Sequence, residues 1–473
     1  MTTVETPPST GALPRWLWGA MIGAGLLYGV PSVWLLLNFI QQAYDVGIFD
    51  QTLWLIVNGE SFNTVAGIHV LGDHFSPILF VISPLALVPG GAAPELIFQS
   101  LLIASGVIPA YKLAVALDRD PRWFVLVYAI HPAMVTGSWT GWRPWNLAVP
   151  FFMWACYFVV RRPTSARIVI SGLVLLVFRE DLALWVGLLA LILYLDRRLK
   201  LRNLILSGLA LGTTTALVLF VALPALSPMD GYFFAGDFTA GPDLGQLVSS
   251  ISIRVVFLLL PLAIAPSRIN WRLMGALGLP VLGLVLRGGP SLTTFFQYDM
   301  MFVPLLLVVV ALSPPVEYRP VKVAVASLVV MLLFGALRPF PPQHGPNPFL
   351  YNSELATDYR AVLSELYAMD DFMSLSISAP DTLVPHLSER RDIFMYPWPA
   401  DTFSDPDNVD SRLSFDCPPP EVLAQRPDLV TQAWVTVLEE TPHQQVGTFG
   451  QMSVWRAVDP VPEGECTARY SAG

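Results

Sequence analysis

The residues best suited to chemistry sit at the edges of apolar tracts. The stretch YDVGIFDQTLW, residues 44–54, follows directly on a long apolar run and carries Asp45 and Asp50 where that run should leave a membrane. Asp50 reads as a solvated helix end, capping a short surface helix that begins QTLW. Asp45 lies nearer the boundary, beside Tyr44 and Gly47, where a carboxylate can face a cavity rather than bulk water. In GIHVLGDHFSPILF, residues 67–80, His69, Asp73 and His74 form a second group. Imidazole and carboxylate suit a divalent metal, with Asp73 and His74 as the ligand pair, although the spacing matches no specific cage. The same side chains could instead hydrogen-bond a phosphate or a sugar.

The sharpest signal is LVFREDLALW, residues 176–185, in which Arg179, Glu180 and Asp181 interrupt an apolar tract. A single helix over 168–195 would bury this triplet near the bilayer centre and put its two basic ends on opposite sides, against the usual bias of basic loops. A hairpin removes both problems. Each arm then has about 11 to 15 residues, roughly 17 to 22 Å at the helical rise, so the turn should sit below the membrane surface in a protein-lined or water-filled depression. Ionisable groups at such depth are candidates for function. The alternative is an arginine–carboxylate pair that only locks two helices together. Arg143 in TGWRPWN and Arg287 in LRGGPS add positive charge on the same side, and Gln297, Tyr298 and Asp299 add hydrogen-bonding groups. These arginines are placed for an anionic headgroup such as a phosphate, or act as interfacial anchors. Trp139, Trp142, Trp145, Tyr232, Phe233 and Phe234 read as an interfacial aromatic belt, on which a sugar ring could also stack.

The elements that must position these groups are transmembrane helices. The 473 residues are 54% hydrophobic and 13% charged, with a mean hydropathy of +0.57, which excludes an ordinary soluble domain. Continuous apolar tracts without strand alternation exclude a β-barrel, leaving an all-α polytopic membrane bundle. The expected spans are about 16–40, 95–117, 123–138, 147–160, 166–178, 182–196, 203–226, 248–265, 273–287, 299–313 and 321–338, eleven in all. Residues 76–89 are short and proline-interrupted, and read as a surface or re-entrant helix. The first tract ends in IQQAYD with no small-residue cleavage site, unlike a secretory signal. Lys and Arg cluster in alternate short loops, which puts the N-terminus in the cytoplasm and the C-terminus outside.

Residues 1–338 form the bundle, and 339–473 a small extracytoplasmic domain after the proline-rich linker PFPPQHGPNP. That domain is expected to be α/β, with a helix over 353–373 and strands in SLSISA, DLVTQAWVTVLEE and GTFGQMSVWRAV. Cys156 falls within a span as a core thiol. Cys417 and Cys466 both fall in the outward domain, where an oxidising compartment would let them pair as a disulfide. The net charge of −9 is unevenly spread, no nucleic-acid partner is expected, and no internal repeat is evident.

YDVGIFDQTLW, LGDHFSPILFVISPLALVPG, the FRED hairpin, FFQYDMMFVPLL and SAPDTLVPHLSERRDIFMYPWP together resemble the bacterial and archaeal membrane proteins grouped as domain of unknown function 2079. That group in turn resembles the GT-C superfamily of integral-membrane glycosyltransferases. The resemblance implies a plasma-membrane enzyme with a catalytic Asp just after the first span, matched by Asp45. It also implies a polyprenyl-phosphate sugar donor and an acceptor in the cell envelope. His74-Phe75-Ser76-Pro77 is similar to the HPP-type motif of several members, without the second adjacent proline. Arg179-Glu180-Asp181 stands where related sequences carry a basic-acidic pair. In the implied inverting mechanism Asp45 takes the acceptor's proton, Arg179, Arg143 and Arg287 balance the lipid phosphate, and Asp73, His74, Glu180 and Asp181 position groups or hold a metal.

Two other classes compete. A transporter would place its site near the midplane on broken helices, usually with repeated halves. A receptor or assembly platform would use the outward domain for binding and the bundle as an anchor.

Overall fold

The computed structural model describes residues 13–72, 74–226, 242–264, 268–287, 292, 297–315, 317, 319–338, 351–395, 413–416, 421–425, 442–459, 461 and 467–470. Every tract expected to span a membrane is helical. Among the described residues four helices are long and apolar enough to cross one: Arg15–Leu37, Ala93–Ala116, Leu201–Leu226 and Leu244–Leu262. The other tracts form shorter helices, among them Pro144–Arg161, Ser165–Leu176, Ala183–Leu195 and Phe302–Ala311. The tract at 123–138 is broken where Pro121–Ile130 gives way to Pro132–Trp139. Pro132 cannot continue the preceding helix, and His131 instead caps the next one by accepting from the Ala133 N–H.

Phe302–Ala311 is apolar on all sides and every one of its residues is buried, as expected for a helix enclosed by others. The first helix approaches Ala93–Ser105 closely through Gly25 and Gly29, where an added Cβ would meet Leu101 at 3.4 Å and Ser100 at 3.3 Å. Small residues let two apolar helices touch when lipid offers no hydrophobic drive for association. After the first helix, Ala43–Gly47 forms a π-helical turn that leads into Ile48–Val57. Residues 78–87 are a short helix and a 3₁₀ turn, Ile78–Ile82 and Ser83–Leu87, as the proline spacing implies.

The C-terminal part is α/β. Its helix Ser353–Tyr367 is capped by the Asn352 side chain, which accepts from the N–H groups of Glu354 and Leu355, and ends six residues earlier than its apolar pattern suggests. A mixed sheet runs in the order Ile393–Met395, Ile377–Ala379, Val422–Gln425, Met452–Ala457, His443–Phe449. The first three strands are parallel and the last two join antiparallel. Gly450, at φ +58, makes the turn of the final hairpin. The strand expected over 428–440, the linker at 339–350, and Cys417 and Cys466 lie outside the described residues. Cys156 is a buried free thiol.

The sheet's edge and the loop that follows rest on the stretch after the first helix. The core is continuous across this contact, running from Phe39 and Ile48 to Val384 and Ile393.

Candidate functional site

Asp45 sits in the π-helical turn and Arg143 at the start of Pro144–Arg161, where Pro144 opens the helix and leaves Arg143 in extended geometry at φ −153. The Arg143 Nε donates to Asp45 Oδ1 at 2.6 Å, and a second nitrogen, Nη2, meets Oδ2. Gly141 makes the approach possible. Its φ is +108, and a Cβ there would stand 2.7 Å from the Asp45 Cβ. Gln99 fixes the loop, donating to the Gly141 carbonyl at 2.9 Å and accepting from the Arg143 N–H at 3.1 Å and the Asn146 amide at 3.3 Å.

The RED triplet forms a turn between Ser165–Leu176 and Ala183–Leu195, the hairpin read from the sequence. Glu180 is fully buried; one oxygen pairs with His74 Nδ1 at 2.8 Å and the other accepts from the Phe75 N–H at 3.0 Å. Ser76 donates to the Phe178 carbonyl at 2.7 Å and the Ile78 N–H to the Val177 carbonyl at 2.9 Å, so loop and turn are clamped along their length. Arg179 reaches both oxygens of Asp181, at 2.5 and 2.6 Å.

The indole of Trp145 joins these two centres. The guanidinium of Arg179 lies 4.8 Å from its centroid, that of Arg143 5.7 Å, and the His74 ring 5.2 Å in edge geometry. Two cations against one indole face an electron-rich ring rather than bulk solvent. Asp45, Arg143, His74, Arg179, Glu180 and Asp181, spread over 137 positions of the chain, are thereby gathered at one place. Asp73 lies outside the described residues, and so do the side chains of Arg287, at the end of Gly278–Arg287, and Gln297, in the turn Gln297–Asp299. Tyr298, in that turn, is partly buried. His69 accepts from the Leu71 N–H at 3.1 Å, a turn-forming bond. Among the described residues no three His, Cys, Asp or Glu side chains converge as a metal set.

Asp50 corrects its sequence reading. It is neither solvated nor a cap but lies buried within Ile48–Val57, where Ser388 of the C-terminal part donates to it at 2.5 Å. Burial raises its carboxyl well above the usual range, with Glu95 and then Glu389 adding repulsion and the Ser388 hydroxyl opposing. Trp139 and Trp142 likewise leave the expected belt: both are buried, Trp139 donating to the Leu27 carbonyl at 2.9 Å and Trp142 packing on Phe49 at 5.6 Å. Tyr232, Phe233 and Phe234 lie outside the described residues.

Unsatisfied buried polar atoms concentrate here. Asp50 Oδ1, both Glu95 carboxylate oxygens, Trp142 Nε1, Arg143 Nη1, Trp145 Nε1 and Asn146 Oδ1 have no hydrogen-bond partner among the described residues. Such atoms are rare in folded proteins, whose buried polar groups are otherwise paired. Asp299, expected as an outward hydrogen-bonding group, is instead fully buried and paired with Arg254 at 2.6 Å, and sequence reasoning passed over Arg254 and the buried Glu95. The signal for Arg254 was a lone arginine in the apolar tract SISIRVVFLL.

No curated protein and no solved structure matches the chain. The family match covers the turn of Asp45, the His74 loop and the RED hairpin; FFQYDMM and SAPDTLVPHLSERRD fall beyond it. Residues 35–238, which hold every member of the Trp145 cluster, match the family model described as "Predicted membrane protein (DUF2079)".

Proposed function

We propose that this membrane protein is a GT-C-type inverting glycosyltransferase that moves a sugar from a polyprenyl-phosphate donor to an acceptor on the outer side of a bacterial or archaeal plasma membrane. The observation that carries the reading is the convergence of Asp45–Arg143 with His74–Glu180 and Arg179–Asp181 about Trp145. In this reading a hydroxyl of the acceptor attacks the anomeric carbon, the carbon–oxygen bond to the lipid phosphate breaks, and Asp45 takes the hydroxyl proton. A carboxylate held by one guanidinium keeps lone pairs for that proton. Arg143, with one buried nitrogen to spare, and Arg179 lie where they can balance the departing phosphate. Glu180 holds His74 through its Nδ1 and so fixes the orientation of the imidazole.

The test is transfer of radiolabelled sugar from a panel of polyprenyl-phosphate sugars by the purified protein in lipid. Wild type should transfer, and Asp45→Asn, if folded, should lose about 10²–10⁴ in rate. Absence of transfer from every donor beside a working control enzyme would end this reading. Substrate flux in proteoliposomes without covalent change would then favour transport.

A further inference from the structure

A groove runs along the flank of the bundle between Arg15–Leu37 and Pro121–Ile130. It holds about 440 Å³, and its walls are apolar, from Trp16, Ala20 and Gly23 on one side to Val125 and Leu126 on the other, with Arg122 as its single charged member. Helix packing does not account for it. A Cβ on Gly23 would meet nothing within 4 Å, whereas Gly25 and Gly29 are needed for the close approach to Leu101 and Ser100. From Trp16 to Leu27 the groove follows the first helix for roughly 16 Å at 1.5 Å per residue, about half of a ~30 Å hydrocarbon core.

The charge at its mouth is uncommitted. Arg119 spends its guanidinium on the carbonyls of Ala311 and Ser313, at 3.0 and 2.7 Å, anchoring the loop to the bundle. The exposed Arg122 guanidinium has no hydrogen-bond or ion-pair partner among the described residues; only its backbone N–H is engaged, by Asp120 at 2.9 Å. Arg15 and Lys112 add positive charge at this end, against Asp118 and Asp120. Trp16 and Tyr111 pair edge to face at 5.9 Å, the amphipathic aromatics expected at headgroup level.

We propose that the groove seats one acyl chain of an anionic phospholipid whose phosphate rests on Arg122. An apolar slot one leaflet deep takes the chain, and a free guanidinium at its rim takes the phosphate. The proposal depends on the helices lying in a membrane and is independent of the transfer chemistry above.

The experiment is native mass spectrometry of the full-length protein after delipidation and titration with phosphatidylglycerol or phosphatidylcholine. Wild type should retain phosphatidylglycerol about fivefold more tightly than phosphatidylcholine, because both carry the phosphate but choline cancels its charge beside Arg122. Arg122→Gln should bring the two lipids to parity, Arg122→Lys should keep the preference, and Gly23→Leu, which fills the slot, should lose both lipids. Ala129→Leu repeats the filling test from the opposite wall if Gly23→Leu does not fold. Equal retention of both lipids by wild type, an unchanged preference in Arg122→Gln, or full retention in the filled variants would each overturn the proposal.

Discussion

The hydroxyl of Ser388 donates to a carboxylate oxygen of Asp50 at 2.5 Å from 338 residues further along the chain. It belongs to a seam. Asp381 accepts from the Ala43 N–H at 2.7 Å, Gln51 donates to the Arg391 carbonyl at 2.9 Å, Thr64 donates to the Ile393 carbonyl at 2.7 Å, and the His386 Nε2 lies 3.0 Å from the Leu36 carbonyl. The buried Arg390 holds the seam's own loop, donating to the carbonyls of Leu387, Phe372 and Leu375. YDVGIFDQTLW is therefore covered by SAPDTLVPHLSERRD, and the C-terminal part closes over the turn that carries Asp45.

The buried carboxyls of this seam should weaken the docking as pH rises, while His386, whose imidazole burial lowers to about 4, should strengthen it over the same window. Burial lifts the Asp381 carboxyl from 3.8 to about 6, with the Ala43 N–H opposing and Asp45 adding repulsion, and Asp50, Glu389 and Asp392 are also raised, chiefly by burial. A raised carboxyl keeps its proton in the folded protein where the unfolded chain has released it, so its contribution is complete below about 4 and is lost as pH climbs through 6. Amide protection over 379–393, corrected for intrinsic exchange, should fall across that window by at most about 1.4 kcal/mol per pH unit for Asp381. Asp381→Asn keeps an acceptor for Ala43 and should lessen that fall relative to wild type; a pH profile unchanged by the substitution would refute the account.

Breaking the Asp45–Arg143 pair should cost unequally. The Arg143 side chain is 3% exposed and that of Asp45 17%. Asp45→Asn thus strands the more deeply buried charge and should destabilise by about 3 kcal/mol, with Arg143→Gln costing less. Thermal unfolding of both single variants and the double variant gives the coupling. If the two single losses simply sum to that of the double variant, the pair does not act as a unit.

Gly141→Ala should disturb the same pair without removing either charge. The substitution meets both a left-handed φ and the Asp45 Cβ at 2.7 Å, and should cost about 2 kcal/mol. Sugar transfer, where measurable, should fall more than stability does, because the carboxylate itself is displaced. A variant as stable and as active as wild type would show that the loop yields freely.

Arg254→Met leaves Asp299 buried with neither carboxylate oxygen on a guanidinium, and one of these oxygens already lacks a partner among the described residues. The expected loss is about 3–5 kcal/mol, read as a lower unfolding midpoint in detergent. Arg254→Met with Asp299→Leu should recover most of it, since an apolar pair replaces an ionic one at little cost. Failure of that rescue would assign the pair a role beyond mutual neutralisation.

The helical class, the position of nearly every helix and the RED hairpin were legible in the sequence, because hydropathy and the cost of charge in lipid act over short windows. The α/β character of the C-terminal part was legible for the same local reason. Asp45, His74 and the RED residues could be marked as candidates from their types and places. Their partners could not. Arg143 reaches Asp45 only because Gly141 and Gln99 shape a distant loop, and Trp145 collects cations that no spacing relates. Asp50 looked solvated because its cover, Ser388, lies 338 residues away. Trp142 looked interfacial until Phe49 enclosed it. Burial and pairing at such positions depend on which segments meet in space, and that was decided by tertiary packing alone.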